Sequence, residues 1–370
     1  MSQFHLNWRA IRRYFAVFDG PLAILIFLIM SCGIVTLYSA GYDFPGRVED
    51  QLRNIVVSFF VMWIAASVPP QTLMRFAIPI YTLGVTLLIA VALFGMVKKG
   101  SRRWLNIGMV IQPSEMLKIA TPLMLAWYFQ KREGALRVQD FIIATIILAI
   151  PFALIGKQPD LGTAMLVGMA GFAVIFLAGL SWKVILGILG FAAAVIPTIV
   201  WPYMLHDYQR DRVLTLLDPS RDPLGKGFHI IQSTIAVGSG GVTGKGWLKG
   251  TQAHLEFIPE RTTDFIFAVF SEEFGLVGNL VLLLLYLLLI ARCLMIAANA
   301  PTLFTRLLAG SMTAIFFTYA FVNMGMVSGI LPVVGVPLPF MSYGGTALVT
   351  LGMAAGILMS VQRHRKLIQT

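Results

Sequence analysis

Long apolar runs dominate this chain and limit the folds that it can adopt. Hydrophobic residues make up 58% of its 370 residues and charged residues only 12%, which is unlike a soluble domain. A helix needs about 17 to 25 apolar residues to cross a hydrocarbon core of roughly 30 Å. The sequence therefore predicts an all-α polytopic integral membrane protein with ten transmembrane helices. They are expected at residues 21–41, 54–68, 75–97, 114–130, 141–156, 161–179, 183–204, 265–292, 304–329 and 343–361.

One long polar stretch, residues 205–264, separates the seventh run from the eighth. We expect residues 1–370 to form a single membrane domain in which this stretch is one large loop. Short cytoplasmic loops retain Lys and Arg, and the side that holds both termini carries thirteen of them, against seven in the short loops opposite. The sequence therefore predicts cytoplasmic termini and a large extracytoplasmic loop between helices 7 and 8.

Four charged side chains stand at the predicted extracytoplasmic ends of the helices. Glu115 and Lys118 open the fourth run, Asp160 opens the sixth, and Asp264 opens the eighth. A charge beside hydrocarbon is costly, so each of these residues is a candidate functional residue.

Each candidate also has a purely structural interpretation. Glu115 and Lys118 are three residues apart, so on a helix they can neutralise each other. Asp160 and Asp264 each precede an apolar run and can cap its helix. Asp264 is equally suited to act as a general base. The residues alone leave these alternatives open.

Two adjacent acids, Glu272 and Glu273, lie further along the eighth run, about 12 Å beyond Asp264 at the rise of a helix. At that depth we expect them to need a partner, a proton or a polar cavity.

Basic residues are concentrated at residues 98–104, Lys-Lys-Gly-Ser-Arg-Arg-Trp. Beside a membrane, the guanidinium groups of Arg102 and Arg103 can bind lipid phosphate with two parallel hydrogen bonds. The alternative is an ordinary interfacial belt of basic and aromatic residues.

Residues 238–246 are rich in glycine but do not form a phosphate-binding P-loop. Ser239 stands where the motif needs its first glycine, and Gly246 follows Lys245 where Ser or Thr is required. We expect a flexible turn, with anion binding by its backbone N–H groups as the weaker alternative.

Other classes of site are not indicated. His206, His229 and His254 lack the spacing of metal ligands and are expected to be solvated or structural. No repeat of aromatic and basic residues suggests nucleic-acid binding.

Several motifs together resemble the SEDS family of bacterial membrane proteins (shape, elongation, division and sporulation), most closely its rod-shape branch. They occur in family order over nearly the whole chain. The matching segments are Arg103-Trp104, Gln112-Pro-Ser-Glu115 with Lys118, Gln158-Pro-Asp-Leu-Gly162, Asp207-Tyr-Gln-Arg-Asp-Arg-Val213, Leu217-Asp-Pro219, His229-Ile-Ile-Gln232, 238–246, Pro259-Glu-Arg-Thr-Thr-Asp-Phe265, Glu272-Glu-Phe-Gly275, 332–339 and Ser342-Tyr-Gly-Gly345.

The resemblance implies a peptidoglycan glycosyltransferase of the cell-elongation machinery. It would polymerise lipid II at the outer face of the bacterial cytoplasmic membrane, together with a class B penicillin-binding protein and other elongation-complex membrane proteins. The family's essential loop aspartate corresponds to Asp264, its polar pair to Glu115 and Lys118, and a further important aspartate to Asp160.

Transfer of a sugar from a lipid pyrophosphate needs a base, and cations or a divalent ion for the departing pyrophosphate. We expect Asp264 to be the base, or else a ligand of Mg²⁺ or Mn²⁺. Arg53, Arg102, Arg103 and Lys118 are candidate phosphate contacts, with Glu115 positioning Lys118. One carboxylate at the site favours a single inverting displacement.

Two alternatives from other classes remain. One is a lipid II flippase, because many helices with intramembrane charges suit a transporter. The other is a non-catalytic scaffold for the transpeptidase, in which Asp264 would be replaceable.

Overall fold

A computed structural model describes most of the chain. It covers residues 17–98, 101–106, 110–134, 136–158, 160–204, 207, 210–211, 214–215, 218–219, 226–255, 257–258 and 260–365. This part of the chain is mostly helical, as predicted.

The helices follow the apolar runs. They are α1 (Gly20–Ala40), α2 (Arg47–Ser67), α3 (Pro70–Phe94), α4 (Pro113–Lys131), α5 (Val138–Gly156), α6 (Leu161–Leu177), α7 (Trp182–Val195, continuing as a π-helix over Ile196–Met204), α8 (Lys226–Ser239), α9 (Thr251–His254), α10 (Ile266–Ala298), α11 (Leu303–Val327) and α12 (Gly345–Arg363). Within the described residues, seven are long and apolar enough to cross a membrane: α1, α3, α5, α7 with its π-helical extension, α10, α11 and α12. This agrees with a multi-pass membrane protein.

A small β-sheet between α3 and α4 departs from the all-helical prediction. Strands β1 (Met96–Lys98), β2 (Ser101–Asn106) and β3 (Val110–Ile111) form an antiparallel sheet in the order β1-β2-β3. Strands β1 and β3, with three and two residues, are too short to display the alternation that identifies a strand, and the six residues of β2, Ser-Arg-Arg-Trp-Leu-Asn, do not alternate between apolar and polar. The sheet carries Arg103 and leads directly into α4.

Helix α10 is broken at Gly275, whose φ of 62° and ψ of −161° are not helical. The Glu272 and Glu273 carbonyls accept hydrogen bonds from the N–H groups of Lys245 (3.0 Å) and Gly246 (3.0 Å). Beyond the break, the N–H groups of Leu276 and Val277 donate to the carbonyls of residues 241 and 242 at 2.9 and 3.0 Å. Residues 238–246, the glycine loop, therefore supply the backbone partners that the break removes.

Helices α1 and α10 run side by side, and a polar contact marks each end. The Arg292 guanidinium donates to Asp19 at 3.0 and 2.5 Å, and the Ser39 hydroxyl donates to the Glu273 carboxylate. The α1 segment between these contacts is about 30 Å long at 1.5 Å per residue, the thickness of a hydrocarbon core.

Glu273 consequently lies level with the Ala40 end of α1. The Arg261 side chain, close to Asp264 in sequence, donates to the Ala40 carbonyl at 2.8 Å at the same level. Because α10 is regular from Ile266 to the break, Glu272 stays about 12 Å from Asp264 along the helix axis, and Ser39 is the polar partner that the burial of Glu273 requires.

Residues 332–342, between α11 and α12, have no helical structure, and we call them the re-entrant segment; its second half, residues 338–342, is buried. A Cβ at Gly33 would lie 2.7 Å from the Met341 carbonyl oxygen, and the Tyr286 hydroxyl donates to the Pro339 carbonyl at 2.7 Å. Gly33 is seven residues from Ala40, so the segment reaches about 10 Å below the end of α1. Irregular backbone at such depth must be enclosed by protein, and Leu338 and Phe340 are almost fully buried.

We predict that Gly240→Ala destabilises the fold, because a Cβ at Gly240 would lie 2.1 Å from the Ser271 carbonyl oxygen. The backbone must move, at a cost of about 1–3 kcal/mol. Gly238→Ala is the matched control. A Cβ at Gly238, which lies in α8, would have no other atom within 4 Å. Thermal unfolding in detergent should show a lower Tm for Gly240→Ala only. Equal Tm values would contradict the close docking of the glycine loop.

Candidate functional site

Asp264 lies at the end of a tight turn, residues 260–265, that we call the aspartate turn. Its backbone closes through the Thr263 and Phe265 N–H groups, which donate to the Glu260 carbonyl at 3.0 and 3.3 Å. Helix α10 begins at Ile266 with Phe265 in the N-cap position, so Asp264 precedes the cap. Its interpretation as the helix N-cap is therefore wrong.

Three successive carbonyls of the aspartate turn accept hydrogen bonds from distant parts of the chain. The bonds run from Tyr343 N to Thr262 O (2.9 Å), from Ser342 Oγ to Thr263 O (2.7 Å) and from Asn323 Nδ2 to Asp264 O (2.8 Å). Residues at the end of the re-entrant segment and in α11 therefore fix the backbone that carries Asp264.

Asn323 joins the aspartate turn to the re-entrant segment. Its Nδ2 donates both to Asp264 O and, at 2.7 Å, to the Val336 carbonyl, and its side chain is fully buried. A Cβ at the neighbouring Gly335, which has a φ of +73°, would lie 3.3 Å from Asp264 Oδ2. The half-buried Asp264 carboxylate thus lies against the glycine of this segment, which leaves it room.

The start of α6, which Asp160 caps, also contacts the re-entrant segment. It caps α6 through a hydrogen bond from the Thr163 N–H at 3.2 Å, as one interpretation predicted, and its other oxygen lies 3.5 Å from Arg103 Nη1. A Cβ at Gly162 would meet the Val334 carbonyl oxygen at 2.7 Å. The start of α6 and Asp264 therefore both contact the re-entrant segment.

Glu115 and Lys118 form the predicted ion pair, with Oε1 and Nζ 2.6 Å apart. Lys118 is buried and also donates to the Tyr319 hydroxyl at 2.5 Å. The second Glu115 oxygen accepts from the Thr350 hydroxyl at 3.1 Å. The pair thus connects α4 with α11 and α12, and Tyr319 lies one helical turn from Asn323 on α11.

Of the remaining predicted cations, the structure places only the side chain of Arg53. Arg53 is exposed and pairs with Asp50 at 2.5 Å on the surface of α2. Arg102 is part of strand β2, but its side chain lies outside the described residues.

Sequence reasoning missed Arg47, the first residue of α2. Its Nη1 donates to the Thr262 hydroxyl, two residues from Asp264. Its guanidinium lies over the rings of Phe44 (4.2 Å to the centroid) and Tyr343 (4.7 Å). No local pattern distinguishes Arg47 from Arg53, since both are charged residues at the start of one helix.

The glycine loop is a structural element of α10 instead of the predicted flexible turn. Lys245 Nζ lies 2.6 Å from the buried Glu272 carboxylate, which also accepts from the N–H groups of Thr251 (2.9 Å) and Gln252 (3.1 Å). Glu272 therefore has the partners that its burial requires.

Of the three loop histidines, His229 packs its ring 5.8 Å from the ring of Phe265, next to Asp264. His206 and the side chain of His254 lie outside the described residues. Among those residues, no three His, Cys, Asp or Glu side chains form a group that could hold a metal ion.

Two larger cavities lie away from Asp264. One of about 200 Å³ is lined by the ends of α4 and α12 and the starts of α3 and α11, including Gln130 and His364. The other, about 670 Å³, is an apolar cleft between α5, α6 and α7 near Arg137 and Ser181. Both are at helix ends opposite the aspartate turn, so neither identifies this site.

Comparisons relate the chain to known proteins. The family described as cell cycle proteins, FtsW, RodA and SpoVE, matches residues 20–367. The peptidoglycan glycosyltransferase MrdB of Escherichia coli strain K12 is 50% identical over 348 residues, which cover 94% of each chain. A chain of a solved peptidoglycan synthase complex, described as coordinating polymerization and crosslinking, has a TM-score of 0.82 at 35% identity, over 94% of this chain and 98% of that one. The rod shape determining protein RodA of Thermus thermophilus has a TM-score of 0.71 at 29% identity, with the same coverage.

We predict that Glu115→Ala strongly lowers stability, because it leaves the buried Lys118 charge without its carboxylate. Breaking a buried pair in this way costs about 3–5 kcal/mol. The double variant Glu115→Ala with Lys118→Met should recover part of that loss. Asp50→Ala, which breaks an exposed pair of the same spacing, should cost less than about 1 kcal/mol. Thermal unfolding of the four proteins measures this, and equal losses for Glu115→Ala and Asp50→Ala would contradict it.

Proposed function

The chain belongs to the FtsW, RodA and SpoVE family of cell cycle proteins, and from that premise we propose that it is a peptidoglycan glycosyltransferase. It polymerises lipid II into glycan strands during cell elongation. Its relative at 50% identity is a peptidoglycan glycosyltransferase. The observation that carries the proposal is Asp264, a carboxylate fixed by three hydrogen bonds to the backbone of its turn.

We further propose that all ten long helices cross the bacterial cytoplasmic membrane, with both termini in the cytoplasm. Helices α2, α4 and α6 cross together with the seven that are long and apolar by themselves. Residues 205–264 then form the large extracytoplasmic loop of a single membrane domain. In this orientation Asp264, Asp160, Glu115 and Lys118 lie towards the outer face, where a lipid-linked sugar is presented.

Asp264 acts as the general base in this proposal. Its carboxylate takes the proton of the acceptor hydroxyl as that oxygen forms a bond to the anomeric carbon of the donor sugar. The bond from that carbon to the pyrophosphate oxygen breaks, and the electron pair leaves with the pyrophosphate. A single displacement of this kind inverts the donor configuration.

Cations stabilise the charge that develops on the leaving pyrophosphate. Lys118, held by Glu115 and Tyr319, and Arg103, beside Asp160, are the candidates with defined positions. Arg53 and Arg102 remain proposed phosphate contacts, and the exposed Arg53 would approach the same lipid headgroup from the surface of α2.

A divalent ion, Mg²⁺ or Mn²⁺, is compatible with this site only if the substrate completes it. The described residues contain no cluster of three protein ligands. Mg²⁺ is commonly held by one or two carboxylates together with substrate phosphates. Asp264 would supply that carboxylate, and the ion would add positive charge at the pyrophosphate.

We propose a class B penicillin-binding protein as the partner, within a larger group of elongation-complex membrane proteins. The supporting observation is the structural similarity to a chain of a peptidoglycan synthase complex that coordinates polymerization with crosslinking. We do not propose a flippase, since a transporter keeps its polar site near the bilayer midplane. Even the buried Glu273 contacts Ser39, one residue from the end of α1.

We predict that Asp264→Asn lowers kcat for glycan synthesis by about 10²–10⁴-fold, the usual contribution of a general base. The amide keeps the size of the side chain but cannot take the proton. Purified protein with its partner is incubated with labelled lipid II, and the strands are resolved on a gel. Glu49→Gln, the same change at an exposed carboxylate of α2, is the control. Full polymerisation by Asp264→Asn would exclude the catalytic role.

We predict that Asn323→Ala lowers kcat by about 5- to 150-fold, because losing a buried donor to two carbonyls costs about 1–3 kcal/mol. Asn323 positions Asp264 and does not contact substrate, so KM for lipid II should change little. Asn299→Ala, which removes an exposed amide bonded to one helix carbonyl, is the control. A raised KM with unchanged kcat would contradict the positioning role.

A further inference from the structure

Arg47 lies at the edge of the proposed active site and has no acidic partner among the residues that the structure describes. Within the described residues, no carboxylate lies within the 4.0 Å ion-pair distance of its guanidinium. Five other cations at the same end of the bundle each have one: Arg261 with Asp43, Arg53 with Asp50, Arg103 with Asp160, Lys118 with Glu115 and Lys245 with Glu272.

The position of the Arg47 charge is also unfavourable when no ligand is bound. Arg47 is half-buried, which costs part of its hydration. It is the first residue of α2, where the helix dipole disfavours a positive charge. Neutralisation by an anion from outside the chain would remove both penalties.

Aromatic rings on two separate segments fix the guanidinium. Phe44 lies in the connection between α1 and α2, and Tyr343 follows the re-entrant segment. Because the rings lie against the planar group and Nη1 donates to Thr262, the rotamer of Arg47 is set in advance. The remaining N–H groups point from the edge of the plane, which is the geometry that binds phosphate oxygens in pairs.

Arg261 is an instructive contrast, because it also lies near the Phe44 ring, at 5.4 Å. Arg261 is buried, donates to the Ala40 carbonyl and pairs with Asp43, so its donors serve the fold. Arg47 has a similar aromatic setting, but it is only half-buried and pairs with no carboxylate in the part of the chain that the structure describes.

We infer that Arg47 binds the pyrophosphate of the lipid-linked sugar. Thr262 and Asp264 are two residues apart, so their Cα atoms lie within about 7.6 Å of each other. A pyrophosphate on Arg47 therefore lies beside the carboxylate that takes the acceptor proton. As the bond to the anomeric carbon breaks, the guanidinium stabilises the charge on the departing pyrophosphate. This inference rests on the proposed function for the identity of the lipid, but its test is a binding measurement.

The test measures Kd for undecaprenyl pyrophosphate and undecaprenyl monophosphate with the full-length protein in phosphatidylcholine nanodiscs. We expect Arg47→Gln to weaken pyrophosphate binding by about tenfold or more, the effect of a charge-assisted hydrogen bond, and monophosphate binding by less. Arg47→Lys keeps the charge without the paired donors and should be intermediate. Arg75→Gln, the same change at an exposed arginine of α3, should bind like wild type.

Thr262→Val tests whether Arg47 binds the ligand or only holds the aspartate turn in place through Thr262. It removes the hydrogen bond between Arg47 and Thr262 and leaves the charge in place, so pyrophosphate binding should stay within about threefold of wild type. Wild-type affinity in Arg47→Gln, or an equal loss in Thr262→Val, would overturn the inference. Phe44→Leu removes one of the two rings that lie against the Arg47 guanidinium. If Arg47→Gln does not fold, Phe44→Leu must weaken pyrophosphate binding for the inference to stand.

Inorganic pyrophosphate, used as a competitor, shows whether the site recognises the diphosphate itself or only the intact lipid. Competition in wild type that is lost in Arg47→Gln supports the inference, and competition that survives Arg47→Gln contradicts it. A wild-type protein that binds the lipid pyrophosphate but makes no glycan would refute the proposed function and leave the assignment of Arg47 intact.

Discussion

A helix that breaks inside a membrane protein exposes backbone groups that lipid cannot satisfy, and α10 breaks at Gly275. The glycine loop contributes N–H groups to the carbonyls before the break and carbonyls to the N–H groups after it. Because two carbonyls before the break and two N–H groups after it are paired in this way, residues 265–274 need not continue the axis of the membrane-spanning part of α10. The aspartate turn can therefore lie level with Glu273 and the end of α1.

The glycines of this loop permit backbone contact that no side chain would allow. A Cβ at Gly244 would lie 2.1 Å from the Glu273 carbonyl oxygen, and a Cβ at Gly275 would lie 2.3 Å from Gly244 N. Lys245 then reaches the buried Glu272, so a charge that would be costly alone becomes part of a paired network. A motif that resembles a phosphate-binding loop thus serves to hold a broken helix together.

The re-entrant segment plays the complementary part on the other side of the aspartate turn. It contacts α1 at Gly33, α10 at Tyr286 and α11 at Asn323, while Ser342 at its end bonds to the turn. A catalytic carboxylate is effective when its geometry is set before substrate arrives. Four elements that are remote in sequence hold the backbone of the aspartate turn in this way, and the half-buried Arg47 places a positive charge beside the turn through its hydrogen bond to Thr262.

The pairing of Glu115 with Lys118 and the capping of α6 by Asp160 follow from local spacing, so the sequence predicted both correctly. The sheet at residues 96–111 was missed because two of its strands are very short and the third does not alternate between apolar and polar residues. The sequence did not single out Arg47, because the contact that distinguishes it from Arg53 is with Thr262, which lies 215 residues away in the chain. The break at Gly275 was missed because hydropathy averages over a window and does not respond to one backbone dihedral.

The sequence by itself determined the membrane class, the helices that follow its apolar runs, and the grouping of charged residues at one end of the bundle. These properties depend on how favourably the side chains of each segment are solvated by lipid or by water. Only the tertiary structure decided the partners of Glu272 and Glu273, the path of the re-entrant segment and the neighbours of Asp264. Those follow from backbone groups that must find hydrogen-bond partners wherever the chain brings them, and such partners leave no periodic trace in the sequence.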